Sequence, residues 1–122
     1  MTSEEEVRAK AVKLILDGEP EKALQLLSDY YGVRTPKLRV GLPKRYTGVL
    51  GCYVASEQTI YVKSSDQYHD PFIILHEYYH HLRTFMGKHR GTEKNANKYA
   101  LESIRYYLLI YGKNNIGKES IT

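Results

Sequence analysis

Phe72-Ile73-Ile74-Leu75-His76-Glu77-Tyr78-Tyr79-His80 is the stretch on which the reading of this chain turns. Four apolar residues root a helix in a core, and the H-E-x-x-H sequence after them sets two imidazoles one turn apart on one face. There they can grip a single metal ion. Glu77 falls about 100° around the helix from His76, near enough to reach a water on that ion without ligating it, which is the position a general base needs. Asp70 as N-cap and Pro71 as first helical residue predict where the helix starts, and it runs to Met86 before Gly87 stops it. With five histidines in the chain, random placement would produce the motif at a level of about 2%. The surroundings therefore carry much of the argument.

A catalytic zinc on a protein needs a third ligand. The extended spacing H-E-x-x-H-x-x-G-x-x-H is not met, since Arg83 takes the glycine position and Met86 the last histidine position. Glu93 and His89 are the candidates, beside a site with no third protein ligand. Glu93 begins a helix that Thr92 can cap, and Ala96, Asn97 and Ala100 follow on the same face, so small residues let that helix come close to the His helix. Six residues carry the first helix about 9 Å beyond His80, and the six from Gly87 to Thr92 span up to about 20 Å, so a return to the metal is feasible. Asn97, one turn past Glu93, is placed to accept the outer N–H of a ligand histidine and fix its tautomer. His89 lies in the basic turn Lys88-His89-Arg90-Gly91, and His81, about 100° from His80, faces away from the metal.

Upstream, Val7, Ala11, Leu14 and Ile15 recur at helical spacing behind a Ser3 N-cap. A second helix starts at Glu19-Pro20 and runs through Ala23, Leu24, Leu26, Leu27 and Tyr30 to Gly32. Leu38-Arg39-Val40, Gly48 to Ala55 and Thr59 to Lys63 read as strands, the last two joined around Ser56-Glu57-Gln58. In the final helix Ala96, Ala100, Ile104, Leu108 and Tyr111 make the buried stripe, widened by Leu101 and Tyr107, and Gly112 closes it. The expected architecture is α+β: a helical hairpin (1–32), a three-stranded antiparallel sheet (36–63), two site helices (70–112) and a polar tail (113–122), all in one domain spanning 1–122.

Composition narrows the function classes. One domain is what 122 residues allow. The 18 Lys+Arg against 14 Asp+Glu leave a net charge of +4. That permits nucleic acid as a partner without arguing for it, because scattered cations such as Lys94 and Lys98 usually form a solvated face. A single cysteine, Cys52, excludes a disulfide framework and a Cys-rich zinc module, and predicts a reducing, cytoplasmic setting. The acidic start (Ser3-Glu4-Glu5-Glu6) and the short apolar runs argue against secretion and against membrane insertion. Twelve tyrosines stand against two phenylalanines and no tryptophan, so the aromatic core must find partners for many hydroxyls.

Between Gly48 and Ala100 the sequence resembles the gluzincins, zinc metallopeptidases with two histidines from H-E-x-x-H and a downstream helical glutamate. It is most like their single-domain members, the minigluzincins, and is also similar to the intracellular ImmA/IrrE-type peptidases. The likeness rests on Gly51-Cys52-Tyr53, Ile60-Tyr61-Val62, Ile74 through His80, and Glu93-Lys94-Asn95-Ala96-Asn97. It implies a zincin-like fold, one Zn2+ on His76, His80 and Glu93, Glu77 as the base, and Asn97 holding the first histidine. It further implies a peptide or protein substrate added as a strand at the edge formed by Thr59 to Lys63, a tyrosine or histidine donor to the oxyanion, and latency through the tail or the acidic N-terminus lying in the cleft. The connection from 80 to 93 is short for the group, and no oxyanion donor can be assigned. A metal-stapled binding module that cuts nothing and a DNA-associated protease are the competing readings.

Overall fold

The computed structural model describes residues 2–85 and 92–112. The expected helix stop at Met86 and Gly87, the candidate ligand His89 and the tail 113–122 lie outside the described residues. Helix α1 (Glu4–Leu16) starts with reciprocal bonds, Glu6 N to Ser3 Oγ and Ser3 N to Glu6 Oε1, each 3.1 Å, which satisfy two otherwise orphaned donors. Helix α2 (Pro20–Tyr31) carries Pro20 in its first turn and ends at Gly32, whose φ of 71° is left-handed. The two form the expected hairpin, and α1 also packs against the last helix.

Strands β1 (Lys37–Val40), β2 (Gly51–Val54) and β3 (Thr59–Val62) form a sheet in the order β1-β3-β2. β2 and β3 are antiparallel, with Gly51 opposite Val62, but β1 runs parallel to β3, with Leu38 opposite Ile60. The sheet is therefore mixed, not antiparallel as the sequence suggested, and β3 is its centre. A hairpin between β1 and β2 would use a loop of about 2–5 residues. The ten residues from Gly41 to Leu50 instead step across β3 to the far edge. Thr59 to Lys63 is thus not the edge strand; β2 is, and it is β2 that borders the site. The central place of β3 agrees with its burial, since Thr59, Ile60 and Val62 are almost completely covered.

Helix α3 (Pro71–Phe85) begins as the sequence predicts, with Asp70 Oδ1 accepting from Phe72 N at 3.0 Å and Ile73 N at 3.3 Å. Helix α4 (Thr92–Tyr107) passes into a π-helical turn, Leu108–Gly112. Its buried face is Ala96, Tyr99, Ala100 and Ser103, whereas Leu101 and Leu108, expected on the stripe, are 57% and 55% exposed. Leu101 lies one residue step around the helix from Ala100, and the wider winding after Tyr107 rotates Leu108 off the stripe. Tyr30 is likewise exposed, and Tyr31 packs against the core in its place.

The hydroxyls of the tyrosines packed in the core find partners. Tyr78 pairs with Ser28 at 3.1 Å, and Tyr31 donates to Glu4 at 2.7 Å and lies 3.0 Å from the Tyr99 hydroxyl. Burial pushes Tyr31 and Tyr78 well above the ordinary phenol range and Tyr99 up to about 12, so these groups stay protonated. Arg8, which helical periodicity alone did not place, is buried: Nε donates to Ser103 Oγ and Nη2 to the Tyr99 carbonyl, both at 2.8 Å, and Cζ stands 4.0 Å from the centre of the Tyr99 ring. It straps α1 to α4 through hydrogen bonds and ring contact together. No helix among the described residues is long and apolar enough to cross a membrane.

Candidate metal centre

His76 and His80 sit one turn apart on α3, their ring centres 5.1 Å apart. Glu93, at the start of α4, spans them with one oxygen each: Oε1 is 2.8 Å from His80 Nε2 and Oε2 is 3.2 Å from His76 Nε2. The three donor groups offer atoms that all lie within 4.8 Å of one another. A tetrahedral ion with bonds of about 2.0–2.1 Å holds its ligand atoms about 3.3 Å apart, so the donor set fits a small divalent cation with only local adjustment. The short connection between His80 and Glu93 proves long enough.

Asn97 stands where the sequence reading put it. Its Oδ1 is 2.9 Å from His76 Nδ1, so Nδ1–H donates to the amide oxygen and the Nε2 lone pair points at the site. Burial, the largest influence, holds His80 below the ordinary imidazole range despite the neighbouring Glu93 charge. His80 is thereby kept in the neutral form a metal requires. Thr84 Oγ1 donates to the His80 carbonyl at 3.0 Å and ties down the following turn.

Glu77 is buried, with Oε2 3.9 Å from His76 Nε2. Burial first, and then the charge of Glu93, push its carboxyl up to about 7. A group so placed exchanges a proton near neutral pH. It lies on the floor of a cleft of about 450 Å³ between α3 and β2, together with His80 and Glu93, and Gly51, Cys52 and Tyr53 form the β2 wall. Cys52 is driven up to about 11, by burial first and then by the Glu77 and Glu57 charges, so it remains a thiol.

His81 is turned away from the donor cluster, as its angular position predicted. It is fully buried; its Nε2–H donates to the Arg34 carbonyl at 2.6 Å and its Nδ1 accepts from the Tyr53 hydroxyl at 2.7 Å. Both nitrogens are occupied, and burial keeps the ring neutral. Tyr53 lines the cleft, but its hydroxyl is committed to His81. Tyr46 and Arg83 bring further donors to the lining, with the Arg83 guanidinium 5.6 Å from the Tyr79 ring centre.

The sequence reading did not anticipate the Tyr53–His81–Arg34 link, the place of Arg83 on the cleft, or the contact Gly51 makes with α3. Only the last had a local signal, because a glycine inside a strand pattern often marks close backbone approach. Among the described residues, Glu4, Glu5 and Glu6 form the first turn of α1 and are not part of the cleft lining.

No protein-family model matches the chain, and neither the curated proteins nor the solved structures include a significant match to it.

Proposed function

We propose that the chain is a zinc-dependent metallopeptidase of gluzincin type, an endopeptidase with a zincin-like site, in which His76, His80 and Glu93 hold the metal and Glu77 is the general base. The observation that carries this reading is the convergence of Glu93, from a separate helix, onto both imidazoles of the H-E-x-x-H turn, with a buried carboxyl beside them. Two imidazole nitrogens and one carboxylate are the donor set of open, catalytic zinc sites, and they favour zinc over the oxygen-seeking Mg2+ and Ca2+. A bound zinc would supply Lewis acidity, polarising a carbonyl and lowering the pKa of a water.

The protein's own residues do the rest. Asn97 fixes the His76 tautomer. Glu77 accepts a proton from the attacking water and delivers it to the leaving amine, a double task suited by a carboxyl that titrates near neutrality. Among the described residues β2 is an edge strand and lines the cleft, and a peptide laid along that edge would gain backbone hydrogen bonds as an added strand. A second reading, a metal-stapled binding module, draws on the same geometry, since Glu93 and Asn97 join α4 to α3 across the site.

The test is metal analysis paired with cleavage of an unfolded protein. Wild type should retain one zinc per chain and cut the substrate. Glu77→Gln should keep the zinc and lose roughly 10²–10⁴-fold in rate, and Glu93→Ala should lose the zinc. Wild type without zinc, or Glu77→Gln with undiminished cleavage, would overturn the proposal. Unfolding on zinc removal with no cleavage at any stage would favour the staple.

A further inference from the structure

Gly51 opens β2 at the point where this strand meets α3. Glycine is required by a left-handed φ at Gly18, Gly32, Gly41 and Gly48, but Gly51 is not among the positive-φ positions, so backbone conformation does not explain it. Space does. A Cβ on Gly51 would stand 2.8 Å from Ile73 Cγ2, 3.3 Å from the Tyr61 carbonyl oxygen and 3.6 Å from Glu77 Cγ. The first distance is well inside the separation of about 3.5–4.0 Å that two carbons prefer. The Tyr61 carbonyl belongs to β3, which is held in register with β2, so an added methyl meets backbone as well as Ile73, and either the strand or Ile73 must move.

Ile73 and Glu77 are one turn apart on α3, and both border the space that a side chain on Gly51 would enter. Two residues on, Tyr53 faces the same helix and meets His81 through its phenol oxygen. β2 thus approaches α3 unevenly: at Gly51 no room is left for a side chain beside Ile73 and Glu77, and further along a full aromatic side chain reaches the helix. Glu77 is buried, its carboxylate 3.9 Å from His76 Nε2 and its Cγ only 3.6 Å from where a Cβ on Gly51 would stand.

We propose that Gly51 is a positioning residue for Glu77: by carrying no side chain it lets β2 close onto α3, and that closure sets where the Glu77 carboxylate stands relative to His76. The inference rests on the reading of Glu77 as the base. A Cβ at position 51 lifts the strand or displaces Ile73, and either movement frees Glu77 to shift. Neither Gly51 nor Ile73 belongs to the donor set, so the metal should be retained.

Zinc-loaded Gly51→Ala should hold one zinc per chain and lose roughly 10–100-fold in kcat, the cost of a misplacement of about 1 Å, with KM changed by less than about threefold. Ile73→Ala removes the methyl that the new Cβ would strike, so Gly51→Ala/Ile73→Ala should return to within about threefold of Ile73→Ala alone. Wild-type kcat in Gly51→Ala, or a loss that Ile73→Ala does not relieve, overturns the proposal. Should Gly51→Ala not hold zinc by itself, the alanine is read in the Ile73→Ala background, where restored turnover supports the proposal and persistent loss with zinc bound overturns it. Acetohydroxamate binding to the zinc-loaded proteins gives a readout without turnover. Its affinity should fall about tenfold in Gly51→Ala, a coupling of about 1.4 kcal/mol, and this loss should vanish in a Glu77→Gln background; equal losses in both backgrounds overturn the proposal. Coupling without any peptide cleavage would sink the peptidase reading alone. Cleavage with additive hydroxamate losses would sink the role of Gly51 alone.

Discussion

Helix α3 carries adjacent histidines with opposite fates. His80 opens onto the cleft and meets a carboxylate from α4, while His81, one residue step around the helix, is sealed in the core with both nitrogens bonded. As a dipeptide the two are equivalent. The difference teaches that an imidazole can serve as a ligand only where the fold leaves one nitrogen lone pair unspent: at His76 the amide of Asn97 takes the outer nitrogen and leaves Nε2 available, whereas at His81 a phenol and a carbonyl take both nitrogens.

The sharpest way to break this comparison is to exchange the two losses. His80→Ala should abolish zinc retention through dialysis, a larger effect than the roughly 10–100-fold that removing an outer partner costs. His81→Ala should keep the zinc but unfold at lower urea, by about 3 kcal/mol, because it opens a cavity and strands the Tyr53 hydroxyl and the Arg34 carbonyl. If His81→Ala lost the metal as completely as His80→Ala, the two faces would not be independent.

Next in size is the pH dependence of the metal-free protein. The folded state raises Glu77 to about 7 and so binds its proton more tightly than the unfolded chain does. Its contribution is complete below the usual carboxylate range and is lost as pH rises toward 7. His80, lowered by burial, works in the opposite direction, but Glu77→Gln leaves that term in place. The stability gap between wild type and Glu77→Gln should therefore shift by about 3 kcal/mol in favour of the variant between pH 4 and 8. A gap constant across that range would mean that Glu77 is not buried beside Glu93. The smallest effect sharpens the tautomer argument: Asn97→Ala should weaken zinc binding by roughly 10–100-fold, and Asn97→Asp should retain most of the affinity. Chelator competition measures both.

The parts of the fold that were legible in the sequence are those written in local chemistry. Ser3 with Glu6, Gly32 and Asp70 each satisfy helix termini by short-range bonds, and Pro20 sits in the first turn, where it has no N–H to satisfy. The strand partners were not legible, because the connection after β1 carries the chain across β3 to the far edge, and nothing within Lys37–Val40 distinguishes a parallel neighbour from an antiparallel one. Arg8 was equally hidden: its partners Tyr99 and Ser103 lie more than ninety residues away. Leu101 and Leu108 fit an apolar stripe by spacing alone, but the faces of α4 that neighbours cover were set by α1 and α3.

For the site the division is similar. The sequence by itself determined that two imidazoles share a helix face with a glutamate beside them, because helical periodicity needs no tertiary information. It also narrowed a third donor to Glu93 or His89, with a site lacking a third protein ligand left open. Only the tertiary structure decided that Glu93 spans both rings, that His81 is spent on Tyr53 and Arg34, and that β2 rather than β3 walls the cleft against Glu77. Those outcomes depend on contacts between residues distant in the chain, where packing and backbone hydrogen bonding, not local propensity, select the partner.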